Sequence, residues 1–451
     1  MIVMKFGGTS VRDAEWISRV LDVAEGSLDR APVLVASAMG KSTDALVGIS
    51  ELATSGDTDG ATGEIDKLEA HHTETVEQLV PAEHQHARRE ATERVTTLFR
   101  QLRSLVQGLL LVRECTPRTM DALLAFGELL STAVIAYAAQ ARGLTVELLD
   151  SRQLIVTDAV FTAATPDFDQ TNERIGSMVH PEPGKLYVAQ GFIAATPDRV
   201  TTTLGRGGSD YTATIFGAAL NAEEVQIWTD VDGIMTTDPR IVEGAMTIPE
   251  LSYGEAAELA YFGARVVHPF TIQPAIELDI PVVVRNTARP DGPGTRIIAR
   301  SPRRGVQALA EKRGITVITI HSYRMLNAYG FLSRIFSVFD RFRLPVDLVA
   351  TSEVSVSMTI DRALDLTPVI QELEAYGPVE VERHKGIVCL VGQDLWKDSA
   401  VIARVFNTVT QVPVRMISLG SSDTNLSIVV SEENTEEAVR LLHEEFFSRK
   451  G

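Results

Sequence analysis

Three times in this chain a short strand-like run ends in a loop of glycines and hydroxyls, and this pattern constrains the fold more than any other feature. Ile2–Phe6 runs into Gly7, Gly8, Thr9 and Ser10. Ala31–Ala36 runs into residues 37–44 (SAMGKSTD). Val200–Leu204 runs into Gly205, Arg206, Gly207, Gly208, Ser209 and Asp210. Further apolar runs at 144–149, 186–190, 225–229 and 281–285 are separated by stretches of helical periodicity at 13–28, 63–112 (one or two long helices) and 119–141. Short apolar strands alternating with helices predict an α/β fold: a three-layer αβα sandwich around a mainly parallel sheet. In such sheets ligands sit beyond the carboxyl ends of the strands, where these loops lie.

After a Pro-, Gly- and Arg-rich stretch at 286–305, read as a linker, the pattern changes. Residues 315–320, 334–342, 345–351 and 354–360 read strand, helix, strand, strand, and the same order returns 70 residues later at 387–391, 404–410, 414–419 and 424–430. Without gaps, Arg334 matches Arg404, Phe336 matches Phe406, Ser352 matches Ser422 and Ser357 matches Ser427. This predicts a duplicated βαββαβ unit of α+β type. The expected domains are 1–297, 305–383 and 384–451.

Composition narrows the partners. A formal charge of −18, from 60 acidic and 42 basic residues, disfavours nucleic acid. No uncharged apolar run approaches the roughly 18–20 residues of a spanning helix, so no membrane is expected. The start MIVMKFGGTSV lacks the features of a secretory signal. Cys115 and Cys389 stand far apart in a chain of 451 residues, which points to a reducing, cytoplasmic setting. Eight lysines against 34 arginines fit either salt adaptation or codon bias.

The loops carry the parts that phosphoryl transfer needs: backbone donors, cations and an aligned acceptor. Gly7 and Gly8 let backbone N–H groups approach an anion, and Lys5 supplies positive charge to a migrating phosphoryl. The Gly40-Lys41-Ser42 run is not a Walker loop, because Val35 stands where that motif needs glycine. Its hydroxyls, Thr43 among them, can still anchor a polar ligand. Arg206 between glycines offers a planar fork to a carboxylate, and the helix start behind it adds positive potential. Asp210 could hold Lys5 or a metal in place. Asp230, Asp232 and Asp238 with Thr236 and Thr237 suit a ribose, a base edge or Mg2+, while the spacing of a calcium loop is missing. His71, His72, His84 and His86 do not share a helix face, so they read as solvated rather than as a metal site; no protein metal centre is predicted.

KFGGTSV, SAMGKSTD, Phe126-Gly127-Glu128, TLGRGGSD at 203–210, WTDVDGIMTTDPR at 228–240 and GARVVHP at 263–269 together resemble the aspartate kinases, in order and spacing, over nearly the whole chain. The resemblance implies transfer of the γ-phosphoryl of ATP, with Mg2+, to the β-carboxylate of L-aspartate, the first step towards lysine, threonine and methionine. It implies Lys5, Asp210 and Arg206 as catalytic residues. It places Lys5, Gly7, Gly8, Thr9, Thr229, Asp230, Met235, Arg240, Arg265 and Val266 at the nucleotide, and Thr43, Glu128, Arg206, Gly207, Gly208 and Ser209 at aspartate. Glu128 would pair with the substrate ammonium. Met235 and Arg265 depart from the tyrosine and lysine of some lysine-sensitive members. The duplicated units look like paired ACT modules. The first carries Met325, Gly330, Phe331, Leu332, Val346, Asp347, Ser352 and Glu353 at an effector site for lysine, with threonine left open. ACT pairing further implies a homodimer, and possibly a tetramer. Two rivals remain: a relative acting on glutamate, N-acetylglutamate, carbamate or a nucleoside monophosphate, and a catalytically dead amino-acid sensor.

Overall fold

The computed structural model describes residues 1–263, 267–325, 329–361 and 365–448. The chain packs as two units. The first comprises Met1–Ile234, Pro249–Tyr253 and Val266–Arg300; the second comprises Met235–Ile248, Gly254–Arg265 and Ser301–Gly451.

The first unit is built on eight of ten strands: β1 (Ile2–Phe6), β2 (Pro32–Ala36), β3 (Thr145–Leu148), β4 (Lys185–Gln190), β5 (Ile193–Ala195), β6 (Thr201–Thr203), β7 (Glu224–Thr229), β8 (Glu250–Ser252), β9 (Val282–Asn286) and β10 (Thr295–Ile298). The main sheet has the order β3-β4-β2-β1-β7-β9-β10-β8, and neighbours are parallel except β9 with β10. Its helices are α1 (Ala14–Glu25), α2 (Ser42–Ser55), α3 (Thr58–Leu79), α4 (Gln85–Val112), α5 (Pro117–Ala141), α6 (Ser151–Leu154), α7 (Phe168–Met178) and α8 (Gly208–Ala219).

Period-two alternation decides which side chain meets which helix. Ile2, Met4 and Phe6 of β1, Leu34 and Ala36 of β2 and Trp228 of β7 join one core with apolar residues of α1 to α5. The intervening Val3, Lys5, Val225 and Ile227 point to the other face, where β1 and β7 run in register, Val3 beside Val225 and Lys5 beside Ile227. There α8 lies close: a Cβ on Gly217 would sit 2.5 Å from Val225 Cγ2. Lys5 therefore emerges on the face of α8.

Three expectations need correction. The linker at 286–305 contains β10, which folds back on β9 through a turn at Gly294; its φ of +66° suits glycine. The strand before the Gly205 loop is outside the main sheet: among the described residues β6 pairs with β5 alone, in a hairpin. Finally, α5 is long and apolar enough to cross a membrane by composition, but 83% of its most apolar window is buried within the fold, as befits a core helix.

In the second unit, α9 (Tyr253–Phe262) is followed in sequence by a short α10 (Gln273–Glu277) of the first unit. A six-stranded antiparallel sheet has the order β12-β13-β11-β14-β16-β15, from β11 (Gly305–His321), β12 (Val346–Thr351), β13 (Ser355–Asp361), β14 (Val379–Gln393), β15 (Met416–Leu419) and β16 (Asn425–Ser431). Helices α11 (Phe331–Arg341) and α12 (Thr367–Leu373) cover one core, and α13 (Ser399–Thr408) and α14 (Thr435–His443) another. The duplication is visible in the register: β11 pairs Ile315 with Asp361 and His321 with Ser355, and β14 pairs Lys385 with Ser431 and Val391 with Asn425, a constant offset of 70 residues. The expected border at 383/384 falls inside β14. Leu309, early in β11, packs in the core with Val388 and Leu442, whereas Ile318 and Ile320 pack in the core with Phe331.

Gly217→Ala is expected to destabilise the protein by about 1–3 kcal/mol through overpacking against Val225. Gly176→Ala on exposed α7, where a Cβ meets nothing within 4 Å, should be neutral or slightly stabilising. Urea unfolding of both variants checks the contrast.

Candidate active site

Lys5 Nζ lies 2.7 Å from Asp210 Oδ1, and both side chains are 13% exposed. The pair joins the end of β1 to the first turn of α8. It sits in the wall of a cavity of about 340 Å3 to which three loops contribute: Gly8 after β1, Ser37, Ala38, Gly40 and Thr43 after β2, and Gly205 with Gly207–Asp210 before and within α8.

The loops meet because their residues are small. The Gly40 N–H donates to the Gly8 carbonyl at 3.0 Å and the Ser37 N–H to the Phe6 carbonyl at 3.1 Å. A Cβ on Gly8 would stand 2.9 Å from the Ala38 carbonyl oxygen, so no other residue fits there without moving backbone. Ser37 Oγ donates to Ser209 Oγ at 3.0 Å, tying the second loop to the third. Gly205 and Gly207 have φ of +74° and +73°, which glycine adopts without strain. Gly207 caps the twelve-residue α8 with no side-chain acceptor, leaving the first-turn N–H groups and the helix dipole for an anion.

Glu128 lines the same cavity from within apolar α5. Gly127 makes the approach possible, since a Cβ there would lie 2.7 Å from Ala38 Cβ. Glu128 Oε1 accepts the Ala38 N–H at 3.1 Å, and Oε2 has no partner among the described residues. Burial pushes its carboxyl up to about 8, against the pull of the Ala38 N–H. A buried carboxylate short of one partner is suited to receive an ammonium.

Of the other residues expected at the nucleotide, Gly7 sits beside Lys5, where a Cβ would stand 3.5 Å from Nζ. Thr9 is exposed in the turn Gly8–Val11. Thr229 ends β7, the strand paired with β1, and Asp230 follows it; Thr229 Oγ1 donates to Asp230 Oδ1 at 3.1 Å. Met235 and Arg240 belong to the second unit, where Arg240 is held bidentately by Asp238. Arg265 and Val266 lie outside the described residues. Arg206 is exposed and does not line the cavity, unlike its glycine neighbours.

In the second unit, Met325, Phe331 and Val346 pack into one core. Gly330 caps α11 with no side-chain acceptor, and Leu332 is exposed. Asp347 is the surprise. As the next residue on β12 after Val346 it alternates to the opposite face, where Lys312 Nζ reaches it at 3.1 Å and the Tyr261 hydroxyl donates to it. Ser352 and Glu353 are exposed in the β12–β13 turn, with Ser352 Oγ 2.7 Å from Ser355 Oγ. Leu326, beside Met325, lies outside the described residues.

Sequence reading missed Asp121, a fully buried carboxylate in α5 that accepts the N–H groups of Thr162 and Thr203 and the Thr203 hydroxyl, fixing the strand that leads into the Gly205 loop. A lone acid in an apolar helix was the available signal. The histidine reading needs correction too: His72 is buried against Phe99, its Nδ1 on the Leu68 carbonyl, and burial depresses it to about 4. Among the described residues no three His, Cys, Asp or Glu side chains gather as a metal site.

The folded state binds the Glu128 proton more tightly than the unfolded chain does. Ionisation therefore opposes folding increasingly as pH rises from about 4.5 to about 8. Glu128→Gln is expected to raise the melting temperature on the order of several degrees at pH 8.5, with the gain vanishing near pH 5. A lower melting temperature at pH 8.5 would contradict the burial account.

Residues 1–286 match the family model for the amino acid kinase family, and residues 388–446 match one for the ACT domain. The chain is 37% identical to aspartokinase 2 of Arabidopsis thaliana, over 99% of this chain and 84% of that protein. It is 36% identical to the lysine-sensitive aspartokinase 3 of Escherichia coli, over 99% of both. Among solved structures it resembles E. coli aspartokinase III in complex with aspartate and ADP, in the R-state, with a TM-score of 0.82 and 35% identity over 99% of this chain and 100% of that one. The same enzyme with lysine and aspartate, in the T-state, gives 0.81 and 36% over 99% of each.

Proposed function

The chain belongs to the aspartokinases of the amino acid kinase family, and we propose on that premise that it moves the γ-phosphoryl of ATP onto the β-carboxylate of L-aspartate, giving 4-phospho-L-aspartate and ADP, under feedback inhibition by lysine. The observation that carries this reading is a single cavity offering a lysine–aspartate pair, a glycine-lined backbone and a partner-deficient buried glutamate.

The acceptor needs no general base. A β-carboxylate is ionised at neutral pH, so the chemistry is an oxygen attacking the γ-phosphorus as the bond to the β,γ-bridging oxygen breaks. What remains for the protein is alignment and charge. Lys5 neutralises oxygens of the migrating group, and Asp210 keeps its ammonium pointed there. Gly7 and Gly8 admit phosphate oxygens to the backbone. Glu128 takes the substrate ammonium, which pulls it from neutral acid to carboxylate. Arg206, exposed beside the cavity's glycines, offers its guanidinium to a substrate carboxylate. Mg2+ takes one or two protein carboxylates and otherwise water and phosphate oxygens; Asp210 in the cavity wall suits that role. Bound with ATP, the ion would offset charge on the β- and γ-phosphates.

The second unit carries the lysine response. By the same reading the protein is a homodimer joined through its ACT-like units and works in the cytoplasm; light scattering with and without lysine tests the assembly.

Lys5→Met is expected to lower turnover on the order of 10²–10³-fold, with near-normal turnover removing Lys5 from the mechanism. Arg206→Ala should chiefly raise the KM for aspartate. The assay is ADP release with aspartate, glutamate, N-acetylglutamate and carbamate as acceptors, repeated with lysine, threonine and methionine. Release with another acceptor only, or lysine binding without any turnover, would defeat the assignment.

A further inference from the structure

Strand β6 hands its backbone to the Gly205 loop, and the side chain that fastens this handover stands on the same helix as Glu128. Asp121 and Glu128 are seven residues apart on α5 and so share a face of it, two turns from one another. Asp121 is fully buried, and both its oxygens are engaged. Its Oδ2 accepts the N–H groups of Thr162 and Thr203, each at 3.0 Å, and its Oδ1 accepts the Thr203 hydroxyl at 2.7 Å. Both partners lead to the loop. Thr203 ends β6, two residues before Gly205, and its carbonyl accepts the Ala164 N–H at 2.9 Å. Thr162 has a φ of +72°, which a β-branched residue holds only where its surroundings over-determine it. Its carbonyl packs under Gly205, where a Cβ would stand 3.2 Å from the Thr162 oxygen. One carboxylate thus fixes the strand that enters the loop and the backbone that supports it. The Gly205 carbonyl accepts the Gly208 N–H at 3.0 Å, closing the turn that carries Arg206 and Gly207. The far end of the loop has support of its own: Asp210 lies in the first turn of α8, which packs closely on β7 at Gly217 and holds Lys5 in the ion pair.

We infer that Asp121 is a positioning residue for the phosphoryl acceptor: through Thr203 and Thr162 it sets the Gly205–Ser209 loop relative to Glu128, so that both ends of an amino acid are received by groups referenced to the one helix α5. Asp121 does not itself line the cavity, whereas Glu128, Gly205, Gly207, Gly208 and Ser209 do. All of these residues belong to the first unit. The inference rests on the aspartokinase reading for the identity of the acceptor; the meeting of loop and glutamate in one cavity does not depend on it.

The test uses the full chain. Asp121→Ala leaves two buried N–H groups without their acceptor and should raise the KM for aspartate about tenfold or more, while the KM for ATP stays within about twofold. Asp121→Asn should restore most of the loss, because its amide oxygen can accept both N–H groups while its nitrogen donates to Thr203 Oγ1. If Asp121→Ala fails to fold, Thr203→Val decides: it keeps the shape of the residue, removes one donor to Asp121 and should raise the KM for aspartate about three- to tenfold. Thr202→Val is the matched control. Thr202 alternates to the other face of β6, where its buried hydroxyl lies 2.7 Å from Thr157 Oγ1. Its loss should lower the melting temperature much as Thr203→Val does, yet leave the KM for aspartate within about twofold. Hydrogen exchange at the amides of 205–209 reads the loop without any acceptor and should quicken in Thr203→Val but not in Thr202→Val. Absence of aspartate turnover in the parent chain would defeat the aspartokinase reading and leave the inference to be decided by that exchange. A fall in melting temperature with aspartate KM and exchange both unchanged, equal loss toward ATP and aspartate, or the same shift in both threonine variants overturns the inference.

Discussion

The ion pair between Lys5 and Asp210 is the contact on which the active site depends, and it is a poor way to stabilise a protein. At 13% exposure each, both groups have lost most of their water, and the attraction between them repays that loss only in part. What the pair secures is direction. Strand alternation sends Lys5 to the side of β1 opposite the main helical core, and α8 meets it there with Asp210 in its first turn. A lysine side chain has four rotatable bonds; pinned by a carboxylate in the cavity wall, its ammonium is held in one direction, which is what the proposed phosphoryl transfer asks of it.

Glu128 follows the same logic with the opposite sign. It is buried, pushed towards its neutral form, and left with one oxygen unmatched. Both acids would be replaced by apolar residues if folding alone were at stake. The cost is borne by a core that runs through β1, β2, β4, β7 and α1 to α5. The price of a preformed site is thus spread over apolar side chains that do not line the cavity. This explains why Gly127 and Gly217, which bind nothing, matter to the geometry: each sets how closely a helix that carries a charge, Glu128 on α5 or Asp210 on α8, approaches a neighbouring loop or strand.

What was legible in the sequence is what is local. Strand endings, glycines with left-handed backbone and the repeat of 70 residues are written in neighbouring letters or in a constant shift, and the paired registers of β11 and β14 reproduce that shift at both ends. What was hidden is what depends on contact at long range. Asp121 reads as a stray acid until Thr162 and Thr203 arrive from 41 and 82 residues away. His72 reads as solvated because helical spacing says which residues share a face, not what covers that face; Phe99 covers it. The stretch around β10 reads as a linker because proline, glycine and arginine are concentrated in it, while the four residues that pair are a minority. Asp347, expected at the effector site, also meets Lys312 and Tyr261, contacts that no local pattern in the sequence announces.

The paired C-terminal repeats are less separable than their sequence suggests, and this bears on regulation. Strands β11 and β14 each run through both cores, pairing with one another along most of their length. A strand cannot slide in one core and stay fixed in the other without breaking its hydrogen-bond ladder. The first core carries the residues at which an amino acid effector is expected; the second carries α14 and the segment Met235–Ile248. Ile318 and Leu309 lie on this one strand, with register shifts against β14 between them, and the Leu309 N–H is bonded to the carbonyl of Thr236. Coupling needs a contiguous physical element with two neighbours to bias, and a single strand shared by two repeats supplies one.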